Sequence, residues 1–116
     1  MKLAIAAFAA IAVTMPAYSA DHAGKAVYDK SCQNCHGDNG AGSATADAFY
    51  KIKIPRLNSN PVKMLTNPEM KNIIQGGKGR MEPVKMGRPT SPHRQDLTDQ
   101  QIEDVIAYVR TFPKAN

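Results

Sequence analysis

Residues 32–36 read Cys32-Gln33-Asn34-Cys35-His36. Two cysteines three positions apart, followed at once by histidine, is the attachment pattern of a c-type haem. The spacing has a chemical reason. Each thiol adds across one haem vinyl group, giving two thioether bonds, and the next residue offers an imidazole to the iron from the proximal face. These are the only two cysteines in the chain, so attachment leaves no thiol over.

Blander readings of the pentapeptide are weaker. A zinc site needs more soft ligands, and the other histidines, His22 and His93, are distant in sequence and unpaired. A redox dithiol belongs at the strand-to-helix junction of a βαβ unit, and no such pattern occurs.

Upstream, Met1-Lys2 gives a short basic start, and Leu3 to Val13 is an unbroken run of eleven apolar residues. Eleven is too few to span a bilayer, which needs about 20. Thr14-Met15-Pro16 breaks the run and small residues follow, the pattern of a secretory signal peptide. Cleavage after Ser19 places Ala17 and Ser19 at the small-residue positions; cleavage after Ala20 is the alternative. Residues 1–19 are thus expected to be removed and 20–116 to form one small domain, with no membrane anchor once the signal is gone.

Such a domain has marginal core area. It contains no Trp, and its aromatics are Tyr28, Phe49, Tyr50, Tyr108 and Phe112. A buried macrocycle would supply the missing apolar surface. Charge is uneven: residues 48–95 carry ten Lys/Arg against two Glu, a balance of +8, whereas 20–47 and 96–116 each stand at −2. An exported chain argues against nucleic acid as the partner of this basic middle. An acidic redox partner fits, since complementary charge raises encounter rates. Lys51, Lys53, Lys78, Arg80, Lys85 and Arg88 are the candidate docking residues.

Helical periodicity is clear at both ends. Gly24, Val27, Tyr28 and Ser31 share a face of a helix expected from His22 to Cys32, and Gly24 lets another helix cross closely. Gly37, Gly40 and Gly42 open a loop. Asp47 to Lys53 reads as a short helix or an extended piece ended by Pro55. Asn60-Pro61 and Asn67-Pro68 pair an N-cap with proline, predicting helices at 61–66 and 68–75. Gly76-Gly77 stop the second. Residues 76–95 are too rich in Gly and Pro for a regular element. Thr98 and Gln101 form a capping box, Leu97 and Ile102 a hydrophobic staple, and Ile102, Val105, Ile106 and Val109 keep the helical period until Pro113. No convincing strand or internal repeat is present.

An iron with one histidine has a sixth position to fill or leave open. Candidates are Met64, Met70, Met81, Met86 and His93. Met64 and Met70 read as core packing. Met81 lies in Gly76-Gly77-Lys78-Gly79-Arg80-Met81-Glu82-Pro83, where glycines let the backbone approach a haem edge. It is the favoured sixth ligand, with Met86 and His93 as alternatives. His/Met ligation supports electron transfer and raises the potential.

Taken in order, the Gly24…Tyr28 helix, Cys32-x-x-Cys35-His36, Pro55-x-Leu57, the glycine-rich methionine loop and a terminal helix with Leu97 and Tyr108 resemble a small class I cytochrome c over nearly the whole expected domain. The resemblance implies an all-α cytochrome c fold of three to five helices around one haem c, attached through Cys32 and Cys35 and ligated by His36. It implies that the first and last helices cross at Gly24, Tyr28 and Tyr108. It implies that the Pro55 carbonyl accepts the proton of the other His36 ring nitrogen. It also implies attachment outside the cytoplasm, hence a bacterial periplasmic protein. The chain departs from the family at Met81-Glu82-Pro83, where Met-Pro is common, and in the basic, proline-rich stretch from Lys85 to Gln95. The expected function is one-electron transfer between redox partners rather than enzymatic catalysis. Rival readings are a five-coordinate haem protein that binds a small ligand, a haem-free secreted dithiol oxidoreductase, and a cytochrome subunit of a larger oxidoreductase complex.

Overall fold

Ser19 opens the first helix, α1 (Ala20–Ser31), its hydroxyl accepting from the His22 amide at 3.4 Å. The computed structural model describes residues 4–12, 19–79, 81 and 97–114. Among these the chain is all-α, with α2 (Gln33–His36), α3 (Ala44–Tyr50), α4 (Asn60–Lys63), α5 (Asn67–Gly76) and α6 (Asp99–Arg110) following, and a 3-10 turn at Asp38–Gly40. Six α-helices exceed the expected three to five because α2 and α4 are single four-residue turns. Residues 4–12 form no regular element and are exposed, and no helix among the described residues is long and apolar enough to cross a membrane.

The caps explain where the sequence reading was displaced. The helix expected within 47–53 is α3, which starts earlier because the Ser43 hydroxyl accepts from the Ala46 amide at 3.2 Å. It stops where Lys51 takes a left-handed conformation, φ 56°. Asn60 and Asn67, read as N-caps, lie inside their helices, and Ser59 and Thr66 take the cap positions. Thr66 prevails because Glu69 stands three residues on: the Thr66 hydroxyl accepts from the Glu69 amide and the Glu69 carboxylate from the Thr66 amide, at 3.3 and 3.2 Å. The Thr98–Gln101 box forms as expected, at 3.1 and 2.8 Å.

α1 crosses α6 in the most extensive contact between elements. Gly24 makes it possible. A Cβ there would run into the Asp104 carbonyl and lie 2.8 Å from the Tyr108 Cβ. Beyond the crossing, Tyr28, Tyr108 and Phe112 form a mutual edge-to-face triad with centroids 5.0–5.5 Å apart. Ile102, Val105 and Ile106 are almost fully buried beside it. Burying such side chains contributes about 1.5–3 kcal/mol each.

α5 packs on α6 through buried Met70, a Lys71–Glu103 ion pair at 3.1 Å and a Gln75–Asp99 hydrogen bond at 3.2 Å. The Arg110 guanidinium gathers the connection between α4 and α5, donating to the carbonyls of Lys63 and Leu65 and to the Asn67 side chain. Met64, expected in the core, is instead 82% exposed. It follows the last residue of a one-turn helix and has no apolar face to join, whereas Met70 lies on the α5 face turned to α6.

Candidate cofactor site

The Cys32–His36 turn is built by one carbonyl. α1 ends as the Cys32 amide donates to the Tyr28 carbonyl at 2.9 Å. The Cys32 carbonyl then accepts from the Cys35 amide at 3.2 Å and the His36 amide at 3.0 Å. This fold-back brings both thiols and the imidazole onto one short turn, all three residues half-buried.

Gly37 ends the turn at φ 74°, where a Cβ would strike the backbone of Gly42. The loop returns at once, the Gly42 amide donating to the His36 carbonyl at 2.8 Å. The Tyr28 hydroxyl donates to the Gly37 carbonyl at 2.6 Å. Burial raises the Tyr28 pKa well above the usual phenol value, so this hydroxyl stays a donor.

His36 Nδ1 lies 3.4 Å from the Pro55 carbonyl oxygen. A carbonyl only accepts, so the contact places the ring proton on Nδ1 and the lone pair on Nε2, the tautomer a metal takes. Two residues on, the Leu57 amide donates to the Gly40 carbonyl at 2.9 Å. The Pro55-x-Leu57 segment is thereby pinned against the loop that follows the cysteines.

The residue between them, Arg56, makes a contact that no local pattern in the sequence announces. Arg56 donates to Asp47 with a two-pronged grip, 2.7 Å and 3.1 Å, and also to the Ile54 carbonyl at 3.0 Å. Asp47 further accepts from the Ile54 amide at 2.9 Å. The Arg56 guanidinium, reinforced by the Ile54 amide, holds the Asp47 carboxyl below the ordinary carboxylate range. The sequence alone marks Asp47 only as the start of a short helix or an extended piece.

Met81 is half-buried and joined to Lys78 by a reciprocal backbone bridge, at 3.0 and 2.9 Å. That bridge makes a tight turn just past α5, with Gly79 at φ 58°. Met86, His93, Arg80, Lys85 and Arg88 lie outside the described residues.

The Cys32–His36 turn forms one candidate site. Its donors are two thiols and one imidazole held in the metal-binding tautomer, and among the described residues no group of three or more His, Cys, Asp or Glu stands together as a bare-ion site. Phe49, on the α3 helix that packs on α2, is 78% exposed, and Ile52 is partly open. A thioether-linked macrocycle fits this combination, since it brings its own iron and covers apolar surface.

The cytochrome c family model matches residues 22–113. The chain belongs to the cytochrome c family. Membership makes it a haem-binding protein of a family of electron carriers, and Cys32 and Cys35 fit the family's covalent haem attachment. No protein of curated function and no solved structure matches the chain. The family match spans this cytochrome's α1-to-α6 crossing, its Cys32–His36 turn and its Lys78–Met81 bridge.

Proposed function

We propose that this cytochrome is an exported monohaem one-electron carrier, with His36 as proximal ligand, Met81 as sixth ligand, and no bond of a substrate made or broken. The observation that carries the reading is the 3.4 Å contact of His36 Nδ1 with the Pro55 carbonyl, because it presents Nε2 as a ligand and strengthens its donation. Bound haem supplies an iron that cycles between ferric and ferrous forms. Cys32 and Cys35 would hold the macrocycle, His36 would face its iron, and the Tyr28–Tyr108–Phe112 triad, with Tyr28 and Phe112 buried, steadies the turn through the Tyr28 hydroxyl. Met81 sits in a backbone-fixed turn, which suits a ligand that must keep one position in both redox states.

Export to the periplasm follows from the reading of residues 1–19 as a signal. Cleavage after Ser19 or Ala20 removes the Ser19 cap of α1. Exposed Lys51, Lys53 and Lys78 support docking of an acidic redox partner. Association rates of such a pair fall as salt rises; rates that barely change between low and high salt would refute the docking face.

The absorption spectrum of the purified oxidised protein, extended into the far red, tests the reading. A haem spectrum with the weak charge-transfer band of a sulfur-ligated ferric iron supports a His/Met carrier. A haem spectrum without that band, joined by ready carbon monoxide binding in the reduced state, turns the reading toward a ligand-binding protein.

A further inference from the structure

We propose that Asp47 and Arg56 form a clamp that positions the Pro55 carbonyl against His36 and thereby holds the haem potential down. The inference rests on the haem reading above. Both are positioning residues that act through Pro55.

The geometry centres on one carboxylate. Asp47 accepts from the amide of Ile54 and from the side chain of Arg56, the two residues on either side of Pro55. Arg56 closes the ring by donating to the Ile54 carbonyl. Proline has no N–H with which to anchor itself, and its φ is fixed. The direction of its carbonyl is therefore set by its neighbours, and both are held at the same point.

The clamp also references the other partner. The Arg56 guanidinium lies against Gly42, φ 99°, where a Cβ would run into it. Gly42 in turn donates to the His36 carbonyl at 2.8 Å. One ion pair thus fixes the positions of both groups in the His36–Pro55 contact. The pair is partly open, with side chains 26% and 21% exposed. A pair of that exposure adds little to stability, so its distinctive effect is on direction.

The sign follows from the chemistry of imidazole. A carbonyl close to Nδ1–H draws on that proton and makes Nε2 a richer donor, which favours ferric iron. A carbonyl allowed to drift away weakens the donation and favours the reduced state.

Two variants of the holoprotein separate this effect from simple charge. Arg56→Lys keeps the positive charge but loses the two-pronged grip. Asp47→Asn with Arg56→Gln removes both charges and leaves the pair's net charge at zero. Each is equilibrated with a redox mediator, and the exchange of the His36 Nδ1 proton is followed by NMR in the reduced protein. In both variants the reduced-to-oxidised ratio at one fixed ambient potential is expected to rise about threefold, with faster proton exchange and an unchanged haem content. An unfolding midpoint that falls while the ratio stays at the wild-type value would overturn the proposal and leave a structural clamp only. If the double variant does not retain haem, Arg56→Lys alone decides by the same ratio. A wild-type protein without covalent haem would remove the haem reading, and this inference with it.

Discussion

The Tyr28 hydroxyl donates a 2.6 Å hydrogen bond to the Gly37 carbonyl, the first residue beyond Cys32–His36. Its ring meanwhile packs edge-on against Tyr108 and Phe112 in the α1–α6 core. One side chain therefore joins the fold's main packing contact to the turn that bears the thiols and imidazole.

Replacing Tyr28 by Phe keeps the ring contacts and removes the donor from the Gly37 carbonyl. Denaturant unfolding is expected to show a loss of about 1–3 kcal/mol. The pH dependence follows from the raised pKa of Tyr28. Its folded value lies above the unfolded one of about 10, so its contribution is complete below that pH and is lost as pH rises further. The Phe variant lacks this part of the alkaline decline.

Gly24→Ala tests the helix crossing. The added methyl meets the Asp104 carbonyl and the Tyr108 Cβ, so α1 and α6 must separate. The expected cost is about 1–3 kcal/mol or more, read as a lower thermal midpoint, with the haem motif untouched in sequence.

Asp47 makes an acid-side prediction of opposite sign. Its folded pKa is depressed by Arg56 and the Ile54 amide. The stability it brings is complete above the unfolded carboxylate value of about 3.9 and is lost as pH falls through the folded value. Asp47→Asn is expected to flatten that limb of an acid-unfolding curve. Added salt is expected to reduce the difference, since the pair is partly exposed.

Two substitutions test the proposed sixth ligand. Met81→Ala is expected to abolish the far-red band of the oxidised protein and to open the reduced iron to carbon monoxide. Met86→Ala is expected to leave both unchanged. The reverse pattern would assign the ligand to Met86.

The ends of the chain were the most legible in sequence. Gly24, Tyr28 and the Ile102–Val109 stripe carry the helical period, and they meet in the structure as a crossing. The capping box at Thr98 was readable because side chain and spacing both signal it locally. Thr66–Glu69 carried the same signal, but the Asn67-Pro68 pair beside it drew the boundary one residue late. Met64 was misread because burial depends on which way a one-turn helix faces, and four residues have too little period to say. The thiols and imidazole could be read off one pentapeptide. The Asp47–Arg56 grip could not: its partners are nine positions apart across a loop, and no periodicity announces a contact between a helix and the strandless segment after it.

Gly24 and Asp104, which touch, stand eighty residues apart in the chain. A contact that distant must wait for nearly the whole polypeptide, and closing so long a loop is slow compared with forming a single helix. Synthesis runs from the N-terminus, so α1 and both cysteines exist long before α6 does. The core closes last. Until α6 docks, the packing that holds the Tyr28 ring, and through its hydroxyl the Cys32–His36 turn, is incomplete.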